Sequence, residues 1–152
     1  MPPSLLFNRY QSQHISHGKG AGGLNLHGIW LAAFLADQNM INEILKDQPE
    51  MINERLRRAD NKTPLMLSCQ AGDPKVVELL ISKGAELDAV DVFGRTSLML
   101  AAKYDFPEII ELLIKYNFLK NKDNSLVHAL SENNLNALMI ATDSGAMRAV
   151  VS

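Results

Sequence analysis

Residues 61–93 align with residues 94–126 at a shift of 33, with nine identities. Thr63 falls on Thr96, Leu65-Met66-Leu67 on Leu98-Met99-Leu100, Pro74 on Pro107, and Glu78-Leu79-Leu80-Ile81 on Glu111-Leu112-Leu113-Ile114. Unrelated stretches of average composition share roughly two identities over such a length. Val76-Val77 against Ile109-Ile110 adds two conservative pairs. A chain with this periodicity buries its apolar residues by stacking one supersecondary unit on the next, and each unit touches only its neighbours.

The unit can be read physically. The Thr63 hydroxyl suits a helix N-terminus, and Pro64 suits the first helical position, where its missing N–H would be unpaired anyway. Leu65, Leu67 and the small pair Ser68-Cys69 predict a short helix that a neighbour can approach closely. Gly72-Asp73-Pro74 ends it and starts a second helix with Asp73 as cap. Val76, Val77, Leu79, Leu80 and Ile81 are too apolar for a solvent-facing helix, so this one lies between neighbours. Lys83-Gly84-Ala85 closes it, and Asp88 to Gly94 forms a turn-rich link to the next unit.

These residues resemble the ankyrin repeat. Thr63-Pro64-Leu65-Met66-Leu67, Gly72, Val76-Val77, Leu79-Leu80, Gly84-Ala85, Asp88-Ala89 and Asp91 with Gly94 follow the family pattern G-x-T-P-L-H-L-A-A-x-x-G, V-V-x-L-L, G-A-x-x-N-A-x-D. The second unit departs at its end, where Asn117-Phe118 replaces Gly-Ala. A third copy begins at Asn134-Leu135-Asn136-Ala137-Leu138-Met139-Ile140-Ala141 and runs through Gly145 to Val150-Val151. A weaker copy comes first, with Trp30-Leu31-Ala32-Ala33 in its first helix and Met40 to Leu45 in its second. The resemblance implies an all-α solenoid of three to four helix-turn-helix units with extended finger loops. The expected units cover about 27–60, 61–93, 94–133 and 134–152, after an acid-poor flexible leader at 1–26. The third holds about seven extra residues between Phe118 and Asn133, expected as an elongated loop with a short helix near Ser125 to Leu130. The last is expected to be incomplete, with an uncapped face that pairs with missing sequence or another chain.

Bulk properties exclude several classes. A formal charge of −2 and a pI near 6.1 give no global reason to expect nucleic acid or an anionic membrane as partner. The longest apolar run, Ile29 to Ala36, has eight residues, where a membrane span needs roughly 20. A single cysteine makes no internal disulfide and suits a reducing compartment, so cytoplasm or nucleus is expected. The first 36 residues lack Asp and Glu, as organelle transit peptides do, but Arg9 and Lys19 are their only firm positive charges, so targeting is not expected.

No enzyme chemistry finds a foothold, and no cofactor or metal is expected. Cys69 occupies the slot where the family has the second alanine of its pair, and free cysteine behaves as a small hydrophobe. Met66, Met99 and Met139 stand where the family has histidine, and a thioether is a weak acceptor that is not expected to replace the imidazole's backbone bonds. His14 and His17 give two ligands in a glycine-rich leader, short of the four that a structural site requires. Gly18-Lys19-Gly20 lacks the spacing of a phosphate loop.

In the ankyrin family, partners dock on finger tips and on the concave side of the short helices. Carried over residue by residue, the resemblance implies Asp60, Lys62, Gln70 and Ala71 in one unit. Val92, Phe93, Arg95, Lys103 and Tyr104 follow in the next, and Leu135, Asp143 and Ser144 in the last. Phe93 is read either as a binding anchor or as packed against a neighbouring finger, because aromatics and arginine dominate binding energy when desolvated. Arg55, Arg57 and Arg58 are read as a solvated finger or as a contact for an acidic or phosphorylated partner segment. Two functions stay open. One is a non-enzymatic scaffold that binds a protein partner; the other is a regulatory or targeting piece of a larger multidomain protein, a kinase-linked one included.

Overall fold

A short helix begins where Thr63 and Pro64 stand together. In the computed structural model, which describes residues 28–123, 125–133, 135–143 and 145, the helices are α1 (Gly28–Phe34), α2 (Gln38–Asp47), α3 (Pro64–Ala71) and α4 (Pro74–Ser82). They continue with α5 (Ser97–Lys103), α6 (Pro107–Asn121), α7 (Ser125–His128) and α8 (Ala137–Asp143). Two 3-10 turns, Pro49–Asn53 and Arg57–Ala59, lie between α2 and α3. The leader at 1–26 with His14, His17 and Lys19, the proposed contact Ser144, and the last seven residues lie outside the described residues.

The caps follow the residue types. Thr63 accepts the Met66 N–H at 3.3 Å, and Thr96 accepts the Met99 N–H at the same distance. Asp73 accepts the Lys75 N–H at 2.9 Å. In the last unit Asn136 takes the threonine's place and accepts the Met139 N–H at 2.9 Å. Each side chain satisfies one of the N–H groups that a helix start leaves unpaired.

Packing forms two rows. In the inner row α1 lies on α3, α3 on α5, and α5 on α8; in the outer row α4 lies on α6. The two central inner helices are buried nearly all round: Leu65 to Cys69 in α3 and Ser97 to Ala102 in α5 are all covered. Ser68, Cys69, Ala101 and Ala102 are small enough for the helices to come close. Outer helix α4 buries Val76, Val77 and Leu80 and turns Lys75 and Glu78 to solvent. Among the described residues no strand forms, and the β-type pairing is the isolated bridge of Leu56 to Lys62.

Gly72 ends α3 with φ 94°, a left-handed backbone that L side chains rarely adopt. A Cβ placed there would run into the Phe106 ring of the next unit. The glycine therefore serves the turn and the contact between units together.

The extra residues of the third unit do not all form a loop. Helix α6 runs on to Asn121, and Lys122 ends it in a left-handed conformation with φ 61°. Asn117 is the cause. Where the family has a helix-ending glycine, this asparagine is buried and remains in the helix. Its Nδ2 donates to the Asp123 carbonyl at 3.1 Å, and its Oδ1 accepts from Asn121 Nδ2 at 2.8 Å. The short helix α7 then starts two residues after Asp123, whose Oδ1 accepts from both the N–H and the hydroxyl of Ser125.

Candidate functional site

The finger between α4 and α5 is held by one buried carboxylate. Asp91 Oδ1 accepts the Phe93 N–H at 3.0 Å and the Arg95 N–H at 2.9 Å. Its Oδ2 receives Arg95 Nε and Nη2, each at 2.9 Å. The Asp91 N–H donates to the Arg95 carbonyl, closing a tight loop around the tip. Fixed in this way, the guanidinium sits 4.8 Å from the centre of the Phe93 ring, within cation–π range. Phe93 stays 46% exposed.

Neighbouring fingers are joined by main-chain bonds. The Val92 N–H donates to the Asp60 carbonyl at 2.9 Å, and the Glu132 N–H donates to the Phe93 carbonyl at 2.9 Å. Gly94 has to be a glycine for this spacing, since a Cβ would come within 2.9 Å of the Glu132 nitrogen and its φ is 71°. Side chains add further ties. Arg55 Nη1 donates to the Val90 carbonyl at 2.6 Å, and Asn53 bonds both the Gly84 carbonyl and the Glu86 N–H.

A depression of about 260 Å³ opens between this finger and the inner helices, lined by Phe93, Arg95, Lys103, Ser131, Asn133, Leu135 and Ile140. Four residues singled out in the sequence, Phe93, Arg95, Lys103 and Leu135, thus meet at one place. Tyr104 stands beside it, 40% exposed, with Lys103 Nζ 5.5 Å from its ring centre. Val92 is exposed at the same tip. Gln70 and Ala71 are half-buried at the end of α3, and Gln70 Oε1 is buried without a hydrogen-bond partner among the described residues. Asp143 closes α8. Ser131 and Asn133 were missed in the sequence because they lie in the stretch expected as an elongated loop, and Ile140 because its place in the repeat is that of the core residue Leu100.

Lys62 differs from its expected place. It is only 4% exposed, and its ammonium lies 3.3 Å from the half-exposed Asp60 carboxylate. The Leu56 to Lys62 bridge turns the side chain inward, so Lys62 is a support of the finger and we leave it out of the contact surface. Arg57 and Arg58 are exposed on a 3-10 turn, whereas Arg55 is engaged with Val90.

The sulfur residues lie elsewhere. Cys69 is fully buried between α3 and α5, and burial pushes its thiol pKa well above the ordinary value, with Ser68 and Ser97 opposing weakly. The thiol stays protonated at neutral pH, which is the wrong state for a nucleophile. Met66 and Met99 are fully buried. Met99 departs from expectation: its Sδ accepts the Thr96 N–H at 3.4 Å, so the thioether takes up one bond of a reciprocal cap. Among the described residues no group of three or more His, Cys, Asp or Glu side chains is placed to hold a metal, and no helix is long and apolar enough to cross a membrane.

This arrangement of helix pairs joined by bonded fingers defines a repeat protein of the ankyrin class, and the family model "Ankyrin repeats (3 copies)" matches residues 29–124. The chain belongs to the ankyrin repeat family. Over 66 residues, 43% of this chain, it is 35% identical to Tyrosine-protein kinase HTK16 of Hydra vulgaris. That match spans 9% of the kinase's length.

Proposed function

We propose that the chain is a non-enzymatic protein-interaction module that takes a protein partner along its fingers and inner helices. The contact residues in this reading are Phe93, Arg95, Lys103, Tyr104 and Leu135, and the resemblance adds Asp60, Val92, Gln70, Ala71, Asp143 and Ser144. The observation that carries it is the exposed Phe93 ring, clamped by an Arg95 that is itself fixed by Asp91. An aromatic anchor already held in place loses little freedom when a partner covers it, so more of its contact energy appears as affinity. Arg57 and Arg58 extend the surface toward acidic segments of a partner. The paired alanine substitution Phe93→Ala with Tyr104→Ala, compared with wild type in partner capture, tests this reading.

A second reading is favoured by the similarity to a small part of a tyrosine kinase. Here the module is a regulatory or targeting piece of a larger polypeptide. The mass of the native gene product separates the two: a product near 16.8 kDa supports the free-standing module, and a much larger one the second reading. A buried, protonated single cysteine fits a reducing compartment, cytoplasm or nucleus, in either case.

A further inference from the structure

The last described unit exposes what the two before it bury. Leu65 and Leu98 stand at the second helical position of α3 and α5 and are 0% and 1% exposed. Met66 and Met99, one residue on, are both fully buried. The residues in the same register of α8 are Leu138 and Met139, two and three residues after the capping Asn136, and they are 57% and 46% exposed. The cap geometry is the same, so the helix is not rotated relative to its predecessors. What differs is the neighbour. Met66 is enclosed by Ala89 of its own finger and by Leu100 of the next inner helix. Met99 lies in one cluster with Ile140, the counterpart of Leu100.

The polar edge follows the same register. The carbonyls of Asp60 and Phe93 each receive an N–H from the following finger, from Val92 and Glu132. Ser131 and Leu135 repeat the loop of Asp91 and Arg95, with the Ser131 N–H donating to the Leu135 carbonyl and the Leu135 N–H donating to Ser131 Oγ. In that repeated loop the carbonyl in the position of Phe93 belongs to Asn133, at the exposed edge. Apolar and hydrogen-bonding edges therefore continue, in step, an interface that the chain already makes twice.

We propose that Leu138, Met139 and the Asn133 carbonyl form a stacking surface for one further ankyrin-type unit. Its finger donates an N–H to Asn133, and its inner helix places a leucine or isoleucine against Met139, as Leu100 does against Met66. This surface is separate from the Phe93 contact surface and does not depend on it.

The test uses the full 152-residue chain and a second chain extended after Ser152 by a copy of residues 80–121, which continues the repeat in register. Methionine oxidation by hydrogen peroxide reads the surface directly. In the 152-residue chain Met139 reacts ahead of the buried Met66 and Met99; in the extended chain it becomes as slow as they are. The extension also raises Tm by about 2 °C or more, as an added interface of at least 1 kcal/mol would in a chain of this size. Leu138→Lys with Met139→Lys removes that rise and leaves the Tm of the 152-residue chain unchanged. A Met139 that stays reactive after extension overturns the proposal, whether or not the added segment gains helical ellipticity. So does a self-associating 152-residue chain that the double lysine substitution makes monomeric, because a second copy would then be the occupant.

Discussion

Arg95 directs two nitrogens, Nε and Nη2, at a single oxygen of Asp91, each 2.9 Å away. The carboxylate's other oxygen is left to the main chain of the finger, and the guanidinium face is left to Phe93. One buried acid thereby fixes both the loop and the aromatic it presents. Asp91→Ala leaves the Arg95 guanidinium unpaired and two finger main-chain N–H donors, those of Phe93 and Arg95, without their acceptor. Removing one partner of a buried pair costs about 3 kcal/mol. A large fall in denaturation midpoint, with helical ellipticity kept below the transition, is expected in urea titration; Arg95→Ala falls less far, since the Phe93 and Arg95 main-chain N–H groups still bond the Asp91 carboxylate.

Gly72 couples a helix end to the next unit through Phe106. Gly72→Ala is expected to cost about 1–2 kcal/mol for the left-handed backbone, and more for displacing the ring. Adding Phe106→Leu restores only the second part. Thermal melts of the single and double variants separate the two.

Met66 and Met99 occupy the same slot but cap differently. Met99 Sδ already accepts the Thr96 N–H, a weak bond. Histidine at either site supplies a stronger acceptor, worth about 1 kcal/mol net for an ordinary hydrogen bond. Met66→His with Met99→His is expected to raise Tm by roughly 4 °C, with the larger share from position 66. A drop in the double variant contradicts a shared capping role for this slot.

The Ser125 hydroxyl, followed by the Ser125 N–H, holds the Asp123 carboxyl below its ordinary value. A carboxylate with a depressed folded-state pKa adds stability above its unfolded value, near pH 4, and loses it as pH falls through the folded one. Ser125→Ala removes the larger cause. The Asp123 titration followed by NMR is expected to move upward toward the ordinary value, and only part of the way, because the backbone bond remains.

The repeat was legible because it is written in local chemistry. Thr63, Asp73 and Thr96 act within two or three residues of themselves, and Pro64, Pro74 and Pro107 need no partner to favour a helix start. What escaped depends on residues far away or on a turn of the backbone. The continuation of α6 rests on Asn117 reaching Asp123, and a polar, asparagine-rich stretch reads as loop until that bond is known. Lys62 reads as a surface charge until the bridge to Leu56 turns it inward. For the candidate site, Phe93, Arg95, Lys103 and Leu135 were named from the resemblance, but their meeting around one depression follows from bonds between fingers, such as Glu132 to Phe93, which no spacing rule contains.

The central claim, that the finger and inner-helix surface around Phe93 captures a protein partner, is tested most directly by quantitative capture from cell extract on three immobilised chains. These are wild type, Phe93→Ala with Tyr104→Ala, and Leu119→Ala, which alters an exposed residue of α6. The account predicts that the double alanine chain keeps the wild-type Tm within about 1 °C, as surface changes do, and loses partners that wild type and Leu119→Ala both retain. An unchanged set of captured proteins on the double alanine chain would contradict it.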